Sequence, residues 1–87
     1  MTKIYIYCLF EKDDVLHGVY SSLKAAHRDA LKIANTGARG VYINHDDKMV
    51  TPTLKVVRNI FAGEFDVKLN YFSETKIVSV LKTKLKE

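Results

Sequence analysis

The chain has no tryptophan, one proline, one cysteine and four glycines in 87 residues. With Cys8 alone, no internal disulfide can form and no CxxC or paired Cys/His spacing is present to hold a structural zinc ion. A reducing compartment is therefore expected. No linker rich in proline or glycine is present, and no internal repeat or low-complexity tract appears along the chain. Long apolar runs are missing as well. The stretch from Met1 to Phe10 meets the charged Glu11-Lys12-Asp13-Asp14 too soon to form a signal-peptide core or a bilayer span, which points to the cytoplasm. The motifs HExxH and GxSxG and a glycine-rich phosphate loop do not occur, so an enzyme, a cofactor and a bound metal are not expected.

What remains is an ordinary folded composition, with 47% hydrophobic and 28% charged residues. The length allows a single domain, residues 1–87, which buries only about 60 to 65% of its unfolded surface. The formal charge is +4, and it is not segregated: residues 1–44 carry six basic and four acidic side chains, residues 45–87 eight and six. Near the C-terminus Lys76, Lys82, Lys84 and Lys86 face only Glu87. They could make a local positive edge, though the preferred reading is that they blunt an exposed edge strand or helix end.

Periodicity gives the elements. Lys3 to Phe10 alternates Ile4, Ile6, Cys8 and Phe10 against Tyr5, Tyr7 and Leu9, the mark of a central strand that is apolar on both faces and in which Cys8 is a buried, inert thiol. A turn over Glu11 to Asp14 leads into a second strand, Val15 to Tyr20, bulged near Gly18. Ser21 and Ser22 can cap a helix from Leu23 to Asn35, whose inner stripe is Leu23, Ala26, His27, Ala30, Ile33 and Ala34 and which Gly37 ends. Val41 to Asn44 and Lys48 to Val50 form a short hairpin around His45-Asp46-Asp47. Thr51 as cap and Pro52 as first residue predict a helix to Ala62, with Gly63 beyond it. Phe65 to Phe72 alternates as a strand with one wet face, and Lys76 to Lys86 reads as strand in preference to helix. The fold class is α+β, a mostly antiparallel sheet with two helices packed on one side.

Lys24, Arg28 and Lys32 recur every four residues and share one face of the first helix, with Arg39 just beyond its end. Such a cationic ridge suits RNA phosphate or an acidic protein surface. Lys55 and Arg58 form a lesser pair on the second helix. The alternative is an ordinary solvated face. His17, His27 and His45 are not clustered, and His45-Asp46-Asp47 reads as a turn in preference to a cation site. The tyrosines of the strands read as core residues in preference to base-stacking surfaces. A further alternative is an assembly protein joined through an exposed edge strand at Val78 to Leu85.

The strand KIYIYCL followed by GVYSSLKAAHRDALKIA, residues 3–35, resembles small cytoplasmic accessory proteins of T4-like tailed bacteriophages. The resemblance implies an early gene product that acts by binding a host factor, for example inhibiting a toxin or defence nuclease or redirecting host machinery, and some phage toxin inhibitors of this size are also basic and bind RNA. It carries no residue-level site. The expected function is therefore non-enzymatic docking on a host protein, with RNA as a bridge in some cases and Lys24, Arg28, Lys32, Arg39, Lys55 and Arg58 as contacts. Direct RNA binding through the same basic helix face is the alternative.

Overall fold

Two hairpin-plus-helix units and a closing hairpin build one six-stranded sheet. The computed structural model describes residues 4–37, 39–62 and 66–84. The expected strand starts at Lys3 and Phe65, the helix stop at Gly63 and the strand end at Leu85 and Lys86 lie outside those residues. The elements are β1 (Tyr5–Glu11), β2 (Val15–Tyr20), α1 (Leu23–Ala34), β3 (Tyr42–His45), β4 (Lys48–Val50), α2 (Leu54–Ile60), β5 (Val67–Phe72) and β6 (Ile77–Lys84). The strand order is β2-β1-β6-β5-β3-β4, and every pairing is antiparallel. Both helices lie on one side, so the α+β expectation holds.

Local chemistry explains the turns. β1 and β2 are joined by a tight helical turn, Lys12–Asp14, in which Asp13 and Asp14 take positive φ. Aspartate tolerates that region because its short side chain bonds locally. The β-bulge falls one residue from Gly18: Leu9 pairs with Gly18 and Phe10 with Leu16, leaving His17 as the extra residue. In the β3–β4 hairpin Asp46 and Asp47 both have positive φ, 52° and 62°, as a two-residue turn matched to strand twist requires. Gly37, at φ 71°, ends the turn after α1.

The serine cap of α1 is Ser22, whose Oγ accepts from the Ala25 amide at 3.2 Å. The second helix departs from expectation at its start. Thr53, not Thr51, caps it by accepting from the Val56 amide at 3.3 Å, and Pro52 lies buried ahead of the helix. Two threonines flank the proline, and only the later one aligns its hydroxyl with a free first-turn amide.

The core lies between the helices and one sheet face. Ala26, Ala30 and Ala34 of α1 and Val57 of α2 are buried against Leu9, Ile43, Leu69, Tyr71, Val78 and Val80. Small α1 residues let the helix axis approach the sheet, while Phe61 after α2 meets Tyr7 edge to face with ring centroids 6.0 Å apart. Three expectations fail here. β6 lies between β1 and β5, so the expected edge at Val78 to Leu85 is not one over its described part, Val78 to Lys84; β2 and β4 are the edge strands. Lys82 blunts no edge, because its side chain is buried on the helix-covered face. Cys8 is half-buried and not enclosed, since Ile6, Cys8 and Phe10 point to the sheet face that no helix covers.

His27 is buried, with Nδ1 2.7 Å from the Tyr71 hydroxyl. Burial holds its pKa below the ordinary imidazole range. The unfolded chain binds a proton near pH 6.5 that the folded site resists, so this residue's contribution to stability is present above about pH 6.5 and falls below it. The melting temperature is expected to drop between about pH 7.5 and 5.5, and to drop less in His27→Gln. Parallel pH profiles of the two proteins by circular dichroism check this.

Candidate cationic cleft

Three of the six basic residues singled out from sequence come together. Arg28, Lys32 and Arg39 line an open cleft of about 550 Å3 between the C-terminal half of α1, the segment at Gly40 and Val41, and Thr51-Pro52. Asn35 and Thr51 add polar groups, Leu31 and Val41 an apolar floor, and no carboxylate is among the lining residues. Sequence reasoning missed Asn35, Thr51 and Pro52, because Asn35 reads as a helix end and Thr51-Pro52 as a helix start. Nothing local reveals that the two ends meet.

Each cation is held by a different device. Arg28 and Lys32 share a helix face by their spacing of four. Arg39 depends on the loop after α1, which is tied to the β5–β6 turn at two points. Its backbone amide donates to Glu74 Oε1 at 2.9 Å, and the Thr75 hydroxyl donates to the Thr36 carbonyl at 3.2 Å. Thr36 in turn donates to the Lys32 carbonyl at 3.0 Å, satisfying one of the free carbonyls at the end of α1.

Asp29 is the nearest acid in sequence and points elsewhere, into a depression shared by His17, Lys32, Ile33 and Thr36. Its Oδ2 accepts from the Tyr20 hydroxyl at 2.7 Å, and Oδ1 accepts from Arg28 Nε at 3.4 Å. The Tyr20 hydrogen bond, followed by Arg28 and Lys32, holds the Asp29 carboxyl below the usual carboxylate range. The contact takes only the Nε side of a guanidinium whose side chain is 74% exposed, so the outer fork of Arg28 faces solvent.

Lys24 continues the α1 row one turn toward the N-terminus and is exposed, but it does not line the cleft. Lys55 and Arg58 are exposed on α2 and do not line it either. Of the six, Arg28, Lys32 and Arg39 thus line the cleft, Lys24 prolongs their row along α1, and Lys55 and Arg58 lie on the other helix outside the lining.

The histidines do not assemble. His17 Nδ1 lies 3.1 Å from Glu11 Oε2, His45 Nε2 lies 3.5 Å from Asp46 Oδ2, and His27 is in the core. Among the described residues no three His, Cys, Asp or Glu side chains gather as a metal site would need. No helix among them is long and apolar enough to cross a membrane. No family model, curated protein or solved structure matches the chain.

Proposed function

We propose that the chain is a non-enzymatic accessory protein that docks on a host factor through its helix layer, with the cleft as the receptor for anionic groups. The observation that supports this is the convergence of Arg28, Lys32 and Arg39 on an open depression without a lining carboxylate. Two guanidiniums flanking an ammonium suit clustered Asp and Glu of a partner, or phosphates, because the planar fork pairs with either in two parallel bonds. Lys24 extends the field along α1 and speeds encounter. The phage resemblance of residues 3–35 supplies the biological setting, a cytoplasmic inhibitor or modulator of a toxin, nuclease or similar protein.

A second reading, direct RNA binding, is favoured by the same arginine pair, since the four cations Lys24, Arg28, Lys32 and Arg39 would track a phosphate backbone. On single-stranded RNA they would give a slope of log K against log salt near −2.8, roughly.

Affinity capture from bacterial lysate separates the readings. The tagged chain is expected to retain one host protein after RNase treatment, and the folded variant Lys24→Glu, Arg28→Glu, Lys32→Glu is expected to lose about 100-fold or more in affinity for it. Loss of the protein on RNase treatment establishes the RNA reading instead. Undiminished capture by the folded triple variant refutes both assignments of the cleft.

A further inference from the structure

The sheet has two faces, and only one belongs to the core. Strand alternation and register place Ile6, Cys8 and Phe10 of β1, Leu16 and Val19 of β2, and Leu81 of β6 together on the face opposite the helices. Val19 pairs with Cys8, Cys8 with Leu81, and Leu16 with Phe10, so these side chains form one continuous apolar band across three strands. Ile77 and Phe72 pair beside it, Phe72 pairs with Tyr42, and Met49 lies at the β4 edge. Val19, Leu16, Ile77, Tyr42 and Met49 are each about half or more exposed, at 55, 54, 50, 49 and 58%. An apolar surface of a few hundred Å2 on one face is of the size that marks an interaction site.

We infer that this open face is the interface of a two-fold symmetric homodimer, in which two copies stack sheet on sheet and direct their helix layers outward. Three features identify the occupant as a second copy. The first is charge. Among the described residues of the strands, Lys68 is the one lysine or arginine on this face, and its ammonium lies 3.6 Å from Asp14 Oδ1. The cation of this face thus carries its own counter-charge, and the further carboxylate there, Asp66, which accepts from the Thr83 hydroxyl at 3.2 Å, lies at the strand end beside Ile6, away from Phe10 and Leu16. Two copies meet over the apolar band without like charges opposed, and the face offers no unpaired strand cation to the phosphates of a nucleic acid stacking on Phe10, Tyr42 or Phe72. The second is area. Six strands about 4.8 Å apart, the longest eight residues, present roughly 500 Å2 of flat sheet. Two copies then cover about 1,000 Å2 or more, the extent at which specific association begins. The third is chemistry. Side chains of moderate size at period two, with the mutually bonded Ser79 and Asn70 between the two apolar groups, interdigitate across the spacing of about 10 Å found between stacked sheets.

The dimer goes beyond the docking reading and is independent of it. If both hold, one particle carries two cationic clefts on opposite sides and gains avidity for a repeated or elongated anionic partner.

The test is the solution mass of the purified, nuclease-treated chain at high salt, measured by sedimentation equilibrium from about 1 to 100 µM, the weak end for an interface of this size. The expected species is a dimer of twice the 9.9 kDa chain mass. Val19→Lys and Leu81→Asp should each raise the dissociation constant by about tenfold or more, because the symmetry introduces every charge twice. Val19 is exposed on an edge strand, so its variant keeps the fold even where Leu81→Asp loosens it. Circular dichroism checks that. A 9.9 kDa species throughout the range overturns the inference. So does a dimer indifferent to both substitutions, which would place the contact on an edge strand. The cleft triple variant should dimerise as the parent does, so failure of the docking reading and failure of the dimer are separable.

Discussion

Tyr71→Ala is expected to remove about 3 to 5 kcal/mol of unfolding free energy, read as a fall in the urea midpoint. Tyr71 is fully buried on β5, opposite Val78 of β6 and Ile43 of β3, beneath α1. Its ring centroid lies 5.7 Å from that of His27, and its hydroxyl is 2.7 Å from His27 Nδ1. Truncation therefore empties the centre of the core and strands a buried imidazole nitrogen. For a domain of this size the loss is a large part of the total, which runs from about 5 to 15 kcal/mol in natural proteins. Burial raises the Tyr71 phenol far above its ordinary pKa, so the hydroxyl stays neutral at every physiological pH. Tyr71→Phe separates the two contributions. It keeps the ring and deletes one partner of a buried hydrogen bond, at an expected cost of about 1 to 3 kcal/mol. If the two variants unfold at the same midpoint, the polar bond, not the packing, fastens α1 to the sheet. The point bears on the cleft, because Arg28 follows His27 directly and takes its direction from the helix that Tyr71 anchors.

Both faces of β1 read as apolar from sequence, and the natural inference was burial on both. Leu9 fulfils it and Ile6, Cys8 and Phe10 do not, because alternation shows that a face prefers to leave water without showing what covers it. β5 was legible for the opposite reason. Lys68 and Asn70 mark its more polar side, so the alternation alone shows which face the helices cover. β6 hid its polarity. Its helix-facing positions are Val78, Val80 and Lys82, its outward ones Ile77, Ser79, Leu81 and Thr83, so a lysine points in while a leucine points out. No hydropathy pattern assigns that register; pairing with β1 and β5 does. The cleft was half legible. A spacing of four makes Lys24, Arg28 and Lys32 neighbours on any helix, and that local geometry survives folding. Arg39 joins them only because Glu74 and Thr75, more than thirty residues away, pin its loop. Lys55 and Arg58 stay outside because helix packing, not spacing, decides which solvated rows meet.

Lys82→Ala is expected to cost about 3 kcal/mol, whereas Lys76→Ala and Lys84→Ala, at exposed positions, should fall within about 0.5 kcal/mol of the parent. Lys82 is only 5% exposed. Its Nζ donates to the Phe61 carbonyl at 2.6 Å and lies 4.5 Å from the centre of the Tyr5 ring. Phe61 is the residue that ends α2, so the ammonium sits where helix carbonyls run out of amide partners and where the helix dipole favours positive charge. Two opposing terms act on the ammonium. Its removal relieves the cost of keeping a charge out of water, but it also leaves a buried carbonyl without that donor, and the charge-assisted bond and the ring contact act in the same direction as the carbonyl. With a bond this short the second group prevails. Lys82→Met keeps most of the side-chain stem and should lose less than Lys82→Ala, the difference reporting how much the stem contributes by packing. Chemical denaturation gives both values, and hydrogen exchange should show the α2 amides losing protection first. An alanine variant as stable as the parent would mean that Tyr7 and Val57, through their contacts with Phe61 and the core, hold α2 on the sheet unaided.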